Sequence, residues 1–217
     1  MRKSNARLLG LLLSAVCGPM MAAPAAPPIP THGATEVAHG AVGGIAHLHA
    51  FVEDPPPQSM LPLATYQFTL RSPIGGKEKN EVGLIGAVGA PGGITGGAYF
   101  RHAVLGTSPD SRAVVSAQAS GGLAWIGVAL PAAFKLSDQT WLTTQPGIRT
   151  TVFPILHLPI GMSFDVGNGK RIDTEVGAHF STKDHRRSIF RDSYAAYAGI
   201  SFAHELGQRE LQSKAEK

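Results

Sequence analysis

The clearest pattern in the chain is an alternation of apolar and polar or small side chains near the C-terminus. Between residues 160 and 166 the even positions hold Ile, Met, Phe and Val, whereas the odd positions hold Gly, Ser and Asp. Residues 172–180 repeat the alternation after Gly167-Asn168-Gly169, and residues 194–202 show it again. Because successive side chains of a β-strand point to opposite faces, these runs predict a hairpin and a further strand, each with one apolar face.

Clusters of glycine, proline and polar residues divide the rest of the chain into short segments. They lie at residues 53–57, 72–76, 91–93, 108–110 and 167–169. This spacing predicts strands joined by turns. The strands are expected at residues 41–52, 61–71, 80–90, 93–103, 111–120, 122–135, 139–148, 154–166, 171–181 and 193–204. The count is ten, with eight as the alternative.

No apolar helical pattern follows the first 25 residues, and the helix-like composition after residue 204 is polar all round. With no helices to cover a sheet, the apolar strand faces must meet each other or lipid. The sequence therefore predicts an all-β fold, an antiparallel meander closed into a barrel of 8–10 strands over residues 40–206. Residues 207–217 are expected to form a short polar tail.

The N-terminus has the composition of an export signal. Arg2, Lys3 and Arg7 precede an apolar run over residues 8–16, and small residues follow it. The run is far shorter than the ~20 residues of a membrane-spanning helix. We predict a signal peptide over residues 1–25, cleaved before Ala26, and an extended proline-rich lead-in over residues 26–39.

A second cleavage scheme would make the protein a lipoprotein. Residues 13–17, Leu-Ser-Ala-Val-Cys, form a loose lipobox, so Cys17 is a candidate for lipidation. In either scheme no pair of cysteines remains for an intramolecular disulfide.

Removal of the signal peptide lowers the net charge of the protein. The formal net charge of +4 includes Arg2, Lys3 and Arg7, and the first acidic residue is Glu36, so the mature chain carries about +1. A nucleic-acid partner requires a clustered basic face, and this charge gives no support for one.

Two environments suit the apolar strand faces. In a soluble or lipid-anchored periplasmic barrel they would surround an apolar ligand, whereas in a membrane barrel they would face lipid. In the membrane case four polar residues would face the lumen, where Arg149 and Arg171 offer opposing charge; the four are Asp165, Asp173, Glu175 and His179. A sparse interfacial aromatic belt would then come from Tyr66, Tyr99, Trp125, Trp141, Tyr194 and Tyr197.

The last predicted strand carries a family resemblance. Residues 197–204, Tyr-Ala-Gly-Ile-Ser-Phe-Ala-His, have an aromatic residue, a glycine two positions later and a phenylalanine three after that. This resembles the C-terminal sorting pattern of bacterial outer-membrane β-barrel proteins. The resemblance covers roughly residues 40–206 and implies a barrel in the outer membrane of the cell envelope.

The sequence contains only weak signals for chemistry. His47 and His49 share a strand face but lack a third ligand at a metal-site spacing, so we predict no metal and no cofactor. Ser163, Glu175 and His179 are the components of a hydrolytic triad. Positions 175 and 179 lie ~13 Å apart along a strand, which is too far for a direct hydrogen bond, so a triad of these residues is disfavoured. We therefore expect no enzymatic activity, with an outer-membrane lipid-modifying hydrolase as an alternative.

A basic loop precedes the last strand and suggests an anionic partner. It contains Lys183, Arg186, Arg187 and Arg191. Guanidinium groups bind phosphate through paired hydrogen bonds, so these residues are candidates for contact with lipopolysaccharide. The leading hypothesis is a non-enzymatic outer-membrane barrel with a structural, narrow-conduit or surface-interaction role, in contact with membrane lipid and lipopolysaccharide; the periplasmic carrier of an apolar ligand is the alternative.

Overall fold

A computed structural model of the 217-residue chain describes residues 27–29, 34–49, 58–75, 79–90, 93–106, 111–123, 125–150, 154–181 and 194–206. The described strands are β1 (Thr35–His49), β2 (Gln58–Ile74), β3 (Asn80–Ala90), β4 (Gly93–Leu105), β5 (Ala113–Gly122), β6 (Trp125–Ala129), β7 (Ala132–Ser137), β8 (Thr140–Thr144), β9 (Gly147–Thr150), β10 (Pro154–Gly167), β11 (Lys170–Ser181) and β12 (Tyr194–Leu206). Within these residues, no helix is long and apolar enough to cross a membrane.

The twelve segments form ten continuous strands, because β6 runs into β7 and β8 runs into β9. The interruptions lie at Leu130-Pro131 and Gln145-Pro146, where each proline lacks a backbone N–H for the ladder. Hydrogen bonding continues across them, since Leu130 N donates to the carbonyl of Pro146 at 2.9 Å. The ten-stranded count is therefore confirmed.

The sheet is an antiparallel meander that closes on itself. Neighbouring strands pair in chain order, and β1 pairs with β12 from Thr35↔Leu206 to His47↔Tyr194. Closure removes the exposed edges that a flat sheet would have. Thr35 and Leu206 lie at one end, called here the termini end; the strand ends at His49, Gln58, Ser181 and Tyr194 lie at the opposite end, called the loop end.

Apolar side chains point outward and polar side chains point into the barrel. On β11 the side chain of Val176 is 54% exposed and that of Phe180 is 44% exposed, whereas His179, which alternates with them, is buried. Ile200 of β12 is also exposed, and Phe164 lies on the same outer face of β10. The alternation predicted over residues 160–166, 172–180 and 194–202 is present, with its apolar face on the outside.

The predicted turn between β10 and β11 has the backbone that its sequence requires. Asn168 and Gly169 both have positive φ angles, of 56° and 65°. Asn-Gly is the preferred pair for a two-residue hairpin turn in which both central residues have positive φ. The carboxylate of Asp165 accepts a hydrogen bond from the backbone N–H of Gly167 and closes this end of the hairpin.

The aromatic belt predicted from the sequence is wrong for four of its six members. Tyr99, Trp125, Trp141 and Tyr197 are buried inside the barrel, and only Tyr66 and Tyr194 are exposed on its outer face. Glycines on adjacent strands make room for the inward rings. Gly97 and Gly122 lie against Trp125, Gly83 lies against Tyr99, and Gly177 lies against Tyr197.

The N-terminal part of the fold differs from the expected lead-in. β1 begins at Thr35, five residues before the expected start of the barrel, and residues 27–29 are described next to the barrel interior. Ile29 packs with Val114, Ala133 and Trp141. These three side chains point inward, so the segment lies within the termini end of the barrel. The leader and the polar tail lie outside the described residues.

Replacing Gly83 by alanine is expected to lower the free energy of unfolding by about 1–3 kcal/mol, the usual cost of overpacking. The new Cβ would overlap the ring of Tyr99, which is held in place because its hydroxyl donates to Glu81 at 2.7 Å. Urea unfolding of the folded barrel in detergent would measure the change. Gly43→Ala is the matched control, because its Cβ would meet only the carbonyl oxygen of Leu63, at 3.8 Å. Equal stability of the two variants would contradict the packing of Tyr99 against Gly83.

Candidate functional site

The barrel interior at the termini end contains a carboxylate bound by two guanidinium groups. Glu36 accepts from Arg71 Nε at 2.8 Å and Nη2 at 3.0 Å, and from Arg171 Nη1 at 2.7 Å and Nη2 at 2.9 Å. The side chains of Glu36 and Arg71 are 2% and 1% exposed. Both arginines thus bind the carboxylate through paired, charge-assisted hydrogen bonds, the strongest geometry available to these groups.

Further ion pairs continue from the two arginines in both directions around the barrel. On one side Arg71 contacts Glu81 at 3.3 Å, and Glu81 contacts Arg101 at 3.0 Å. Arg101 also donates to the side-chain oxygen of Gln118, at 2.9 Å from Nη2. On the other side Arg171 contacts Asp173 at 2.8 Å. Ser163 donates a hydrogen bond to the same carboxylate of Asp173.

We call this set of side chains the termini-side network: Glu36, Arg71, Glu81, Arg101, Gln118, Ser163, Arg171 and Asp173. It contains three arginines and three carboxylates, so its formal charges cancel. Its members come from β1, β2, β3, β4, β5, β10 and β11. The network therefore ties most of the barrel circumference together from the inside.

A second cluster lies nearer the loop end. The hydroxyl of Tyr197 donates to Glu175 at 2.8 Å and lies 2.8 Å from Nε2 of His157. His157 stacks on His179, with 4.6 Å between the ring centroids. Arg149 lies over the ring of Trp125, with its Cζ 5.1 Å from the centroid. Hydrogen bonds and stacked rings thus fill this part of the interior.

A small cavity lies between the two clusters, with a volume of about 50 Å³. Its interior wall includes Gln67, Thr69, Thr143, Asp173 and Glu175, and Pro27 lies against it. Pockets for drug-sized ligands usually measure ~300–1,000 Å³, whereas one water molecule needs only ~10–15 Å³ in such a measurement. The cavity is large enough for a few water molecules and far too small for an apolar ligand.

Three of the four lumen candidates lie in the interior. Asp173 belongs to the termini-side network, while Glu175 and His179 belong to the cluster around Tyr197. Asp165 does not face the interior and is exposed. The reason is its position beside the hairpin turn, where the register between β10 and β11 shifts between Asp165 and Gly167. Arg171 provides the expected opposing charge, to Asp173 and Glu36.

The triad considered from the sequence is not assembled. Ser163 bonds Asp173, whereas Glu175 bonds Tyr197 and His179 stacks on His157. Among the described residues, no group of three or more His, Cys, Asp or Glu side chains has the arrangement of a metal site. Several candidates lie outside the described residues or side chains: Cys17, His47, His49, Lys183, Arg186, Arg187 and Arg191.

Sequence reasoning missed Glu36, Arg71, Arg101, His157 and Tyr197 as interior residues. One signal was available for Arg71, because Thr65, Gln67 and Thr69 already alternate with the apolar face of β2 and Arg71 continues their series. Tyr197 offered a similar signal, since it alternates with Ile200 and Phe202. Glu36 gave none, because it falls in the segment interpreted as a lead-in.

No protein-family model and no curated protein matches this chain. Several solved structures share its barrel architecture at low sequence identity. The TodX deltaS2S3 mutant monoaromatic hydrocarbon channel is 7% identical over 83% of this chain and 93% of its own, with a TM-score of 0.48. The attachment invasion locus protein Ail of Yersinia pestis is 9% identical over 80% and 99%, with a TM-score of 0.37. Neisserial surface protein A is 9% identical over 79% and 97%, with a TM-score of 0.41.

Replacing Glu36 by alanine is expected to destabilise the barrel by about 3–5 kcal/mol, because two buried arginines lose the carboxylate that both bind. The midpoint and slope of urea unfolding would measure the loss. Asp138→Ala is the control, because it also removes one carboxylate from an ion pair, with Lys135, but at a side chain that is 97% exposed. This control should unfold like the parent chain. Equal behaviour of the two variants would show that Glu36 does not organise the interior.

Proposed function

We propose that this chain is a non-enzymatic outer-membrane β-barrel protein with a closed interior, and that its role is structural or one of surface interaction. The observation that supports this most directly is the distribution of side chains across the barrel wall. The buried arginines and carboxylates all lie in the interior, beside aromatic and small apolar side chains, while the exposed side chains of the outer face are mostly aliphatic and aromatic. This is the reverse of a water-soluble barrel.

The outer face would be unfavourable in water. Phe68 on β2, Ile126 on β6 and Val176 on β11 are 51, 65 and 54% exposed, and exposed apolar side chains lie on the other strands as well. Monomeric soluble proteins rarely expose contiguous apolar patches of more than a few hundred Å². Hydrocarbon removes the cost, and the closed sheet leaves no unpaired strand edge to face it.

The length of the strands suits the same environment. About 9–11 residues cross a bilayer when a strand is tilted, and the ten continuous strands have at least this length. The export signal predicted over residues 1–25 would direct such a barrel to the outer membrane. In that orientation the termini end would face the periplasm and the connection over residues 182–193 would face outward.

The geometry disfavours the other functions considered. A carrier of a drug-sized apolar ligand needs a cavity of several hundred Å³, but the cavity described in the interior measures only about 50 Å³. An open conduit needs a continuous lumen, whereas two clusters of bonded side chains occupy this one. A hydrolase of the predicted kind needs Ser163, Glu175 and His179 in contact, and they bind other partners.

Cell fractionation tests the location. We expect the mature protein in the outer-membrane fraction, migrating faster on an SDS gel without boiling than after it, because the ladder and the interior network keep the barrel folded in detergent. In planar bilayers the purified barrel should give no steady channel conductance. Recovery of the protein wholly in the soluble periplasm would refute the membrane location. A stable open-channel current would refute the closed interior instead.

The anionic partner is a second part of the proposal. We propose that Lys183, Arg186, Arg187 and Arg191 contact the phosphates of lipopolysaccharide, since their loop follows β11 at the loop end. Arg186→Ala with Arg187→Ala should weaken binding to lipopolysaccharide micelles about tenfold or more, because each charge-assisted hydrogen bond contributes ~1.5–3 kcal/mol.

Binding would be measured by titration with the folded protein in detergent. The matched control is Arg112→Ala with Lys135→Ala, which removes the same charge at the termini end. If both double variants lose affinity equally, the attraction depends on net charge and not on the loop.

A further inference from the structure

We propose that the termini end of the barrel interior is a binding site for a short, proline-containing apolar peptide segment, and that the chain's own residues 27–29 occupy it as a plug. The inference goes beyond the proposed function and does not depend on the membrane location. Three features of the described residues support it: an apolar pocket, a buried polar anchor, and a segment whose composition suits burial.

The apolar pocket receives the side chain of Ile29. Val114 of β5, Ala133 of β7 and Trp141 of β8 form a cluster with it, and Ile29 itself is only 7% exposed. Val114, Ala133 and Trp141 are themselves buried. The pocket therefore offers a branched apolar side chain a place beside the ionic network.

The polar anchor is Arg71. Its Nε and Nη2 bind Glu36, while its Nη1 donates to the carbonyl oxygen of Pro27 at 2.7 Å. Glu81 shares this Nη1 at a longer distance, 3.3 Å. A guanidinium held rigidly by Glu36 thus presents one donor to the backbone of the segment, two residues before the side chain that enters the pocket.

The segment brings few polar groups that burial would leave unpaired. Pro27 and Pro28 have no backbone N–H, and the N–H of Ile29 donates to the carbonyl of Pro27 at 2.8 Å. Because unpaired buried donors are strongly unfavourable, a proline-rich chain can enter the barrel without a partner strand. The composition that suggested a lead-in is also the composition that a plug inside a barrel requires.

The segment of residues 27–29 separates the interior cavity from the termini end of the barrel. Pro27 lies against the interior cavity, whose other walls include Thr143, Asp173 and Glu175. The segment thus lies between this cavity and the termini end, and its release would admit water to the cavity. The site would accept a peptide from another chain with the same features, a backbone carbonyl that accepts from Arg71, followed two residues later by a branched apolar side chain.

Cysteine labelling tests the plug. The reporter is Val114→Cys in a chain that also carries Cys17→Ser, so that it is the sole cysteine. In the folded protein a water-soluble maleimide should react slowly with Cys at position 114. Ile29→Asp should accelerate the reaction by at least about tenfold, because a carboxylate is excluded from the apolar pocket and the open state becomes populated. Ile29→Leu should preserve protection.

A synthetic peptide with the sequence of residues 26–31 tests the site directly. Added to the Ile29→Asp protein, it should restore protection of the reporter, whereas the same peptide with alanine in place of isoleucine should not. Asp138→Cys, at an exposed turn of the termini end, is the control reporter and should react equally in every background.

The outcomes separate clearly. Fast labelling of position 114 in the parent chain, or no acceleration by Ile29→Asp, would overturn the plug. Acceleration without protection by the peptide would overturn the binding site. If Ile29→Asp fails to fold, as judged by the gel shift on boiling, Ile29→Ala provides the same comparison. Each measurement uses purified folded protein, so these results would still test the plug if cell fractionation refuted the membrane location.

Discussion

The structure depends on the binding of one carboxylate, that of Glu36, by arginines from both sides of the seam where the sheet closes. β1 carries Glu36 and pairs with β12, which completes the barrel. Arg71 reaches Glu36 from the neighbouring β2, and Arg171 reaches it from β11, across the whole width of β12. The residues joined by the second contact are 135 positions apart in the chain. An ionic bond thus reinforces the backbone ladder at the position where closure has the highest entropic cost.

The side chain of Arg171 can cross β12 to reach Glu36 because the side chains that β12 turns inward at this level of the barrel are small. Ala203 is the register partner of Arg171, and Ser201 is the partner of Asp173. On β1, Gly40 leaves space against Ser201. A bulky side chain at any of these positions would separate the two halves of the network.

The same principle explains the inward aromatic rings. The rings of Tyr99, Trp125 and Tyr197 each lie over a glycine of an adjacent strand, so large and small residues face each other across the interior wall. With most tyrosine and tryptophan side chains used inside, the outer wall is left to aliphatic residues and phenylalanine.

The fold could be predicted from the sequence because its main determinants are local. Alternation with a period of two assigns each residue to a face, and Gly167-Asn168-Gly169 fixes a turn without reference to any distant residue. Strand number followed from the same local signals. The two interruptions, at Pro131 and Pro146, did not alter it, since the neighbouring strands bridge them.

The interior could be predicted only in part, because contacts there depend on register between strands. Asp173, Glu175 and His179 share one face by alternation along β11, but their partners were not identifiable from spacing along one strand. Glu36 precedes the first predicted strand, and its partners lie 35 and 135 positions away. The aromatic residues were misplaced for a related reason: Tyr99 and Tyr197 lie opposite glycines that only the register reveals.

The balance of charge inside the barrel also limits where a function can reside. In the described interior, each of Glu36, Glu81, Asp173 and Glu175 already accepts a hydrogen bond from a buried donor. A binding or catalytic site for an external charged ligand needs donors or acceptors that remain available, and stabilising pairs of this kind leave few. The interior therefore serves mainly to hold the wall in shape. Recognition of other molecules is then left to the outer wall, the loop end, and the plugged opening, where Arg71 offers one N–H to the segment.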